Sequence, residues 1–441
     1  MFHRIKKKRT GKSKAWVISV FMGLGHVRAA YPLKDIAYKE ILLSGTKSTS
    51  SQDEFKIWMK LKRIYYFFSK AENIPIIGKY IYDLLIKSEE ISPYYPKRDL
   101  SSPNWASAYL DSLIYKKNLC GDLIKRVESE NIPVISTYFA SAIAIDRKKK
   151  NIDNNYCVIC DSDINRVWVP VVPRRSNIKY LVPSNHAKRR LTLYGIDERN
   201  IIFTGFPLPK ENIGSEKKQE ILKKDVFNRL LRLDPENKFF SMRKYSVLKH
   251  LNIKNVPLKR PDQFTLMFAV GGAGAQFDMA KKIVEVLKTK IRQNNIRFFL
   301  SAGIRKDVND EFLAHIDELG LSSFLNKGIR VIYSEDVFSY LKSFNDALHE
   351  TDVLWTKPSE LSFYAGLGIP ILIAPPIGTH EMYNRKWLRD INAGVVPDGP
   401  VKYCDEWLFH IREEGRLAEA AWNGFLKAPS LGTYNIENLI S

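Results

Sequence analysis

The chain is short of cysteine, of acid and of long apolar runs. Its four cysteines, Cys120, Cys157, Cys160 and Cys404, are too few and too scattered to staple 441 residues, which excludes a disulfide framework and predicts a reducing, cytoplasmic compartment. Cys157 and Cys160 have the spacing of a metal or redox pair, but no second pair accompanies them and both fall in an apolar strand pattern, so they read as core residues. Acidic residues number 48 against 69 Lys and Arg, a formal charge of +21, which predicts attraction to polyanions: nucleic acid, anionic lipid or phosphorylated metabolites. No run approaches the roughly 18–20 apolar residues of a membrane-crossing helix, and the basic start is not followed by the apolar segment of a secretory signal.

What is present is an ordinary globular composition, 45% hydrophobic and 27% charged, long enough for two large domains. Residues 1–14 read as a basic flexible arm. From Trp16 a short apolar run, a glycine turn and a helix containing Val27, Ala30 and Leu33 form a β-α unit, and further apolar runs at 131–139, 156–163, 178–184 and 200–208 continue it. Such continuous apolar strands suit a parallel sheet covered by helices on both faces. This first α/β domain spans 15–210, and a charged, helical connection spans 211–263. A second series at 264–425 has strands at 264–272, 297–303, 328–334, 352–357 and 369–376, with an amphipathic helix from Phe277 to about Arg292. The helical segment Asp405–Leu426 is expected to pack back across the domains, leaving 426–441 as a tail. Both halves share one plan, an apolar strand, a glycine-rich turn and a helix, which implies α/β architecture with two doubly wound, Rossmann-like domains facing a central cleft.

Three motifs carry chemistry. Met22–His26 places Gly23 and Gly25 at a strand-to-helix turn, with His26 in the first helical turn as a candidate base near neutral pH. Arg28 stands where a dinucleotide fingerprint would have its third glycine, which argues against an NAD or FAD site. Val270–Gln276 repeats the device in the second half, where Gly271, Gly272, Ala273 and Gly274 could cradle a phosphate. Trp355–Val395 then brings two polar clusters to neighbouring strand ends: Lys357, Ser359 and Glu360, and Gly378, Thr379, His380, Glu381 and Asn384. Ser359 also reads as a helix cap.

On these residues the chain resembles glycosyltransferases of the GT-B fold, specifically family 28: the peptidoglycan N-acetylglucosaminyltransferase and the monogalactosyl- and diglucosyl-diacylglycerol synthases. Gly23-Leu24-Gly25-His26 is similar to the family's amino-terminal glycine-rich loop, whose histidine is a candidate for acceptor activation. Val182–Leu208 resembles the segment closing its first domain, and Tyr156–Trp168 its V-x-T-D strand, with Asn165 where relatives often have His. Gly271–Gln276 resembles the loop approaching the donor diphosphate, and Gly378–Asn384 the loop holding donor-sugar hydroxyls, with Glu381 and Asn384 matching by position. Glu360 departs from the family by replacing a small residue; a carboxylate there could bind a ribose hydroxyl pair. The resemblance implies a UDP-sugar donor, inversion at the anomeric carbon and no obligatory metal, with no cofactor beyond that substrate. The chemistry of transfer itself asks for a base, His26 or alternatively Asp161 or Asp163, and for stabilisation of the leaving diphosphate, for which the second glycine turn and Arg305 are the candidates.

For the acceptor, residues 55–85 mix lysines with Trp58, Tyr65, Phe68, Tyr80 and Tyr82, as expected of helices lying on an anionic membrane and equally of core helices with solvated lysines. With the basic arm, this predicts peripheral contact with the inner membrane face and a lipid or lipid-linked acceptor. Two rivals keep the same fold: a non-catalytic sugar-nucleotide or lipid binder, and a UDP-sugar epimerase. Nucleic acid is not expected as a partner, because no recognised module accompanies the charge.

Overall fold

The computed structural model describes residues 14–71, 90–148, 154–271 and 276–440. Two six-stranded sheets organise them. The first contains β1 (Ala15–Val20), β2 (Ala37–Ser44), β3 (Val134–Ser136), β4 (Asn155–Val158), β5 (Lys179–Val182) and β6 (Ile201–Phe203), in the order β2-β1-β3-β4-β5-β6. The second contains β7 (Phe264–Ala269), β8 (Ile296–Gly303), β9 (Ile329–Tyr333), β10 (Val353–Thr356), β11 (Ile371–Ile373) and β12 (Gly394–Val395), in the order β12-β11-β10-β7-β8-β9. Every strand pairing is parallel. Two Rossmann-like α/β domains facing a cleft make this a GT-B architecture.

Parallel strands covered on both faces must be apolar throughout, and β1 and β7 are buried at all six positions. The sequence pattern did not reveal β2. It is an edge strand whose alternation is broken at Lys39, which adopts φ +63°, and its register against β1 slips between Ala15 and Val17. The two-residue β12 is too short to leave a pattern.

In each sheet the connections leave one crevice in opposite directions. β2 and β3 flank β1, while β8 and β10 flank β7. Ligands of open α/β sheets bind beyond the strand carboxyl ends at such a switch point. In the first domain that point is bounded by the turn after β1 and the residues after β3; in the second, by the carboxyl end of β7 and the turn after β10.

The connection between the sheets is helical, at Glu220–Leu233 and Lys238–Leu251. Arg229 on the first of these helices is buried in the second domain and donates to the carbonyls of Thr351, Leu367 and Leu348. Burial lowers its pKa to about 10. The return crossing differs from expectation. Asp405–Leu426 stays with the second domain, where Trp407 packs edge-on to Trp355 at 5.4 Å, and it is the following helix, Gly432–Ile440, that docks on the first. There Asn435 donates to the Thr204 carbonyl at 2.8 Å, and Ile436 and Ile440 join Val17, Ala30 and Leu33 in one apolar cluster. Glycine is required at 432, since a Cβ would lie 2.1 Å from the Phe206 carbonyl oxygen.

Candidate functional site

β1 ends in the turn Phe21–Leu24, and Gly23 at φ +77° occupies a conformation that costs a residue with a side chain. The helix Gly25–Ala30 then carries His26 to the first switch point. His26 Nδ1 lies 2.6 Å from the carbonyl oxygen of Thr137, just beyond β3, and the Thr137 hydroxyl donates back to the His26 carbonyl at 2.9 Å. A carbonyl only accepts, so Nδ1 carries the proton and the lone pair sits on Nε2. Tyr138 meets the imidazole edge-on at 5.0 Å, and Trp168 lies 6.0 Å away. Burial pulls the His26 pKa below its usual value against the opposing pull of Asp161, the Thr137 bond and Glu360, while His380 adds to the lowering. The ring is therefore neutral at pH 7.

The two aspartates after β4 differ. Asp161 is half-buried and accepts from Asn384 Nδ2 at 3.0 Å. Asp163 is fully buried and receives both Arg190 Nε and Nη2 at 2.9 Å, the Tyr94 hydroxyl at 3.0 Å and the Ile164 amide. With both oxygens bound inside the domain, Asp163 presents none to the cleft and drops out as a base. Asn165 lies beside these residues as a cap position of the turn Arg166–Trp168.

On the facing domain, Lys357 reaches from the end of β10 to Glu381 Oε1 at 2.5 Å, and the Ile377 amide donates to Oε2 at 2.6 Å. Burial pushes the Glu381 carboxyl up, but Lys357, His380 and the Ile377 amide together hold it below the usual range. Glu381 and Lys357 thus shape the loop that carries Gly378 and Thr379 into the helix Thr379–Asp390, with Gly378 as N-cap. His380 stays 43% exposed in its side chain, 3.8 Å from Glu381. Neither of the residues expected to hold sugar hydroxyls is open in this state: Glu381 is tied as described, and Asn384 is wholly buried, accepting from the Ser162 amide at 2.8 Å while donating to Asp161. Asn384 joins the two domains.

The remaining expected residues divide. Gly271 lies two residues beyond the end of β7, whereas Gly272, Ala273 and Gly274 lie outside the described residues. Gln276 adopts φ +68° and donates to the Pro375 carbonyl, beyond β11, at 2.8 Å. Arg305 precedes the helix Lys306–Glu318 and folds back on Asp307, with Nε 3.1 Å from Oδ1. Ser359 precedes the helical turn Glu360–Leu367 without a side-chain cap bond. Glu360 instead reaches the first domain: its Oε1 accepts from Arg28 Nε at 3.1 Å, and its Oε2 would lie 3.0 Å from a Cβ on Gly25. A side chain at residue 25 would press on that carboxylate and push it aside. Arg28, Thr137, Tyr138 and Tyr340 were not read as site residues; only the arginine left a signal, a charge on the otherwise apolar face of a short helix.

A cavity of about 450 Å³ lies at the carboxyl ends of β1 and β2, lined by Phe21, Met22 and Leu43, by Trp58, Met59 and Lys62 of the helix Gln52–Ala71, and from the other domain by Ile304, Glu335, Asp336 and Val337. Tyr138, which packs on His26, also lies 6.1 Å from the ring of Trp58 in the cavity wall. Trp58 is buried and bonds to Glu54 at 3.0 Å, so it is a core residue and not a membrane contact. The side chains of Tyr65, Phe68, Tyr80 and Tyr82 lie outside those described, as does the basic arm through residue 13. No described helix is long and apolar enough to cross a membrane. Among the described residues no group of three or more His, Cys, Asp and Glu is placed to hold a metal ion, and the four cysteines are free and buried.

Residues 257–435 match a family described as a domain of unknown function, DUF6938. Over 392 residues the chain is 19% identical to the processive diacylglycerol beta-glucosyltransferase of Bacillus pumilus (strain SAFR-032), covering 87% of this chain and 82% of that protein. Among solved structures it is similar to S. aureus MnaA with UDP, at 13% identity over 97% of this chain and 96% of that one, with a TM-score of 0.48. It is also similar to MurG of Acinetobacter baumannii, at 12% identity over 97% and 99%, with a TM-score of 0.45.

Proposed function

We propose that this chain is an inverting glycosyltransferase that moves a sugar from a nucleoside diphosphate, UDP in the first instance, to an acceptor hydroxyl, with His26 as the base. The observation that carries the reading is the 2.6 Å bond from His26 Nδ1 to the Thr137 carbonyl, because it leaves Nε2 unprotonated at the mouth of the cleft. The acceptor oxygen forms its bond to the anomeric carbon as the bond from that carbon to the diphosphate oxygen breaks. Its proton passes to Nε2, and the electron pair leaves with the nucleoside diphosphate. Asp161 stabilises the imidazolium that results. The diphosphate takes the crevice between the carboxyl end of β7 and the turn after β10, where the amino ends of the helices Phe277–Arg292 and Thr379–Asp390 supply positive potential. As the family resemblance implies, the reading needs no metal.

The cavity at Phe21, Met22 and Trp58, with Lys62 at its wall, supports an acceptor that carries an apolar group beside its hydroxyl. The name of the Bacillus relative points the same way, and the net charge of +21 supports peripheral contact with an anionic membrane.

The test uses UDP-sugars with and without a membrane extract. His26→Ala should reduce transfer by about 10²–10⁴-fold while the thermal stabilisation by UDP persists. Unchanged transfer in the variant would remove His26 from the mechanism. Interconversion of the sugar without acceptor would favour an epimerase, and UDP binding without any turnover would favour a non-catalytic binder.

A further inference from the structure

Two of the positions at which the motifs depart from expectation meet in space. Arg28 and Glu360 are 332 residues apart in sequence, yet they form an ion pair at 3.1 Å across the cleft. The Arg28 guanidinium leaves its own domain and enters an aromatic box of the other. It lies 4.4 Å from the Phe344 ring centre and 5.8 Å from that of Tyr364. Its Nη2 is 3.4 Å from the Tyr340 hydroxyl, which is bonded in turn to Ser301 on β8 at 2.7 Å. Arg28 is only 2% exposed. The second oxygen of Glu360 rests on Gly25, the residue before His26.

Resting on the glycosyltransferase reading, we propose that Arg28 is a positioning residue: by crossing the cleft it holds the Glu360 carboxylate against the turn beside His26, so the base acquires its full setting only when the two domains are closed. Exposed ion pairs contribute little, but a buried pair that loses one partner leaves a charge without compensation. The contact therefore favours full closure or full opening over intermediate states. Three further bonds close with it: Asn384 to Asp161 and to the Ser162 amide, and the Tyr383 hydroxyl to the Ile91 carbonyl at 2.8 Å. The ionisable groups facing His26 are Asp161 from its own domain and Glu360 and His380 from the other. Closure thus adds one carboxylate and one imidazole to its surroundings.

Hydrogen exchange on the protein alone tests closure without any substrate. Arg28→Ala and Glu360→Gln should each speed exchange about tenfold or more in segments 25–30 and 337–348 while β3 and β7 keep their protection, and the effect of the double variant should fall short of the sum of the two single effects. Unchanged exchange in both segments, or strictly additive effects, overturns the proposal. If Arg28→Ala does not fold, the isosteric Glu360→Gln carries the exchange test, and Arg28→Lys, which keeps the charge, should restore much of the protection. Positioning is read separately from the pH dependence of transfer. Glu360→Gln removes a negative charge near His26, so the acidic limb should move to lower pH. A limb that stays in place overturns the positioning role even if the domains open. The exchange result does not depend on turnover, so its failure and the failure of the glycosyltransferase reading remain distinguishable.

Discussion

The two switch-point crevices are built alike and set up differently. In the first, His26 is fixed through Nδ1 and its reactive nitrogen is left over; in the second, Lys357, Glu381 and Asn384 spend their polar atoms on one another, on the loop or on the facing domain. A base can be prepared in advance because its hydrogen bond to Thr137 needs no substrate. On the proposed reading the second crevice takes a diphosphate, whose negative charge competes with the Glu381 carboxylate for Lys357. On that reading the first crevice is held by bonds within its own domain, and the second exchanges a carboxylate partner for the diphosphate.

Predictions that separate the crevices can be ranked by size. The His26 substitution, which touches the first crevice, should have the largest effect on turnover. Next is Asp163→Ala, which leaves Arg190 buried without its partner and should lower unfolding stability by about 3–5 kcal/mol, measured by denaturant titration. The pairing of Asp163 is internal to the domain, so the folded fraction should retain its donor affinity; a weakened UDP response at full folding would return Asp163 to the cleft. Lys357→Met, on the second side, should weaken UDP binding by roughly tenfold, the order expected on losing one charged contact, and should raise the Glu381 pKa because its closest cation is gone. Calorimetric titration with UDP checks the first effect. Equal affinity in the variant would mean that Lys357 serves the loop alone.

The smallest effects are those of pH. Since the His26 pKa lies below its usual 6.5, transfer should rise as the pH passes upward through a midpoint under that value, and should already be near its plateau at neutrality. Asp161→Asn removes a charge that raises this pKa and should move the midpoint lower still, with UDP affinity unaltered. A midpoint shifted upward would reverse the electrostatic assignment of Asp161.

How far the sequence could be read depended on the range of the interaction. Strands such as Phe264–Ala269 were legible because burial on both faces demands an unbroken apolar run, and the helix Phe277–Arg292 because its apolar stripe repeats every turn. The edge strand Ala37–Ser44 was not, since solvent on one side permits the lysine and glutamate that break its pattern. The glycine turn marked His26, yet no local signal names Thr137 as the group that fixes its tautomer. Asp161 and Asp163 look alike in the chain; only Arg190, brought in by a helix beyond β5, makes one of them a buried structural anion.

By itself, then, the sequence determined two β-α series, a glycine turn at the head of each and a histidine in the first, because strand burial, helix periodicity and turn conformation are set by residues within a few positions of one another. Tertiary structure alone decided that Arg28 would cross to Glu360, that Asn384 would join the domains instead of standing open in the crevice, and that the last helix would return to the first domain. Those outcomes depend on which surfaces face each other once both sheets have packed, and the charge of a side chain does not state where its partner will come from.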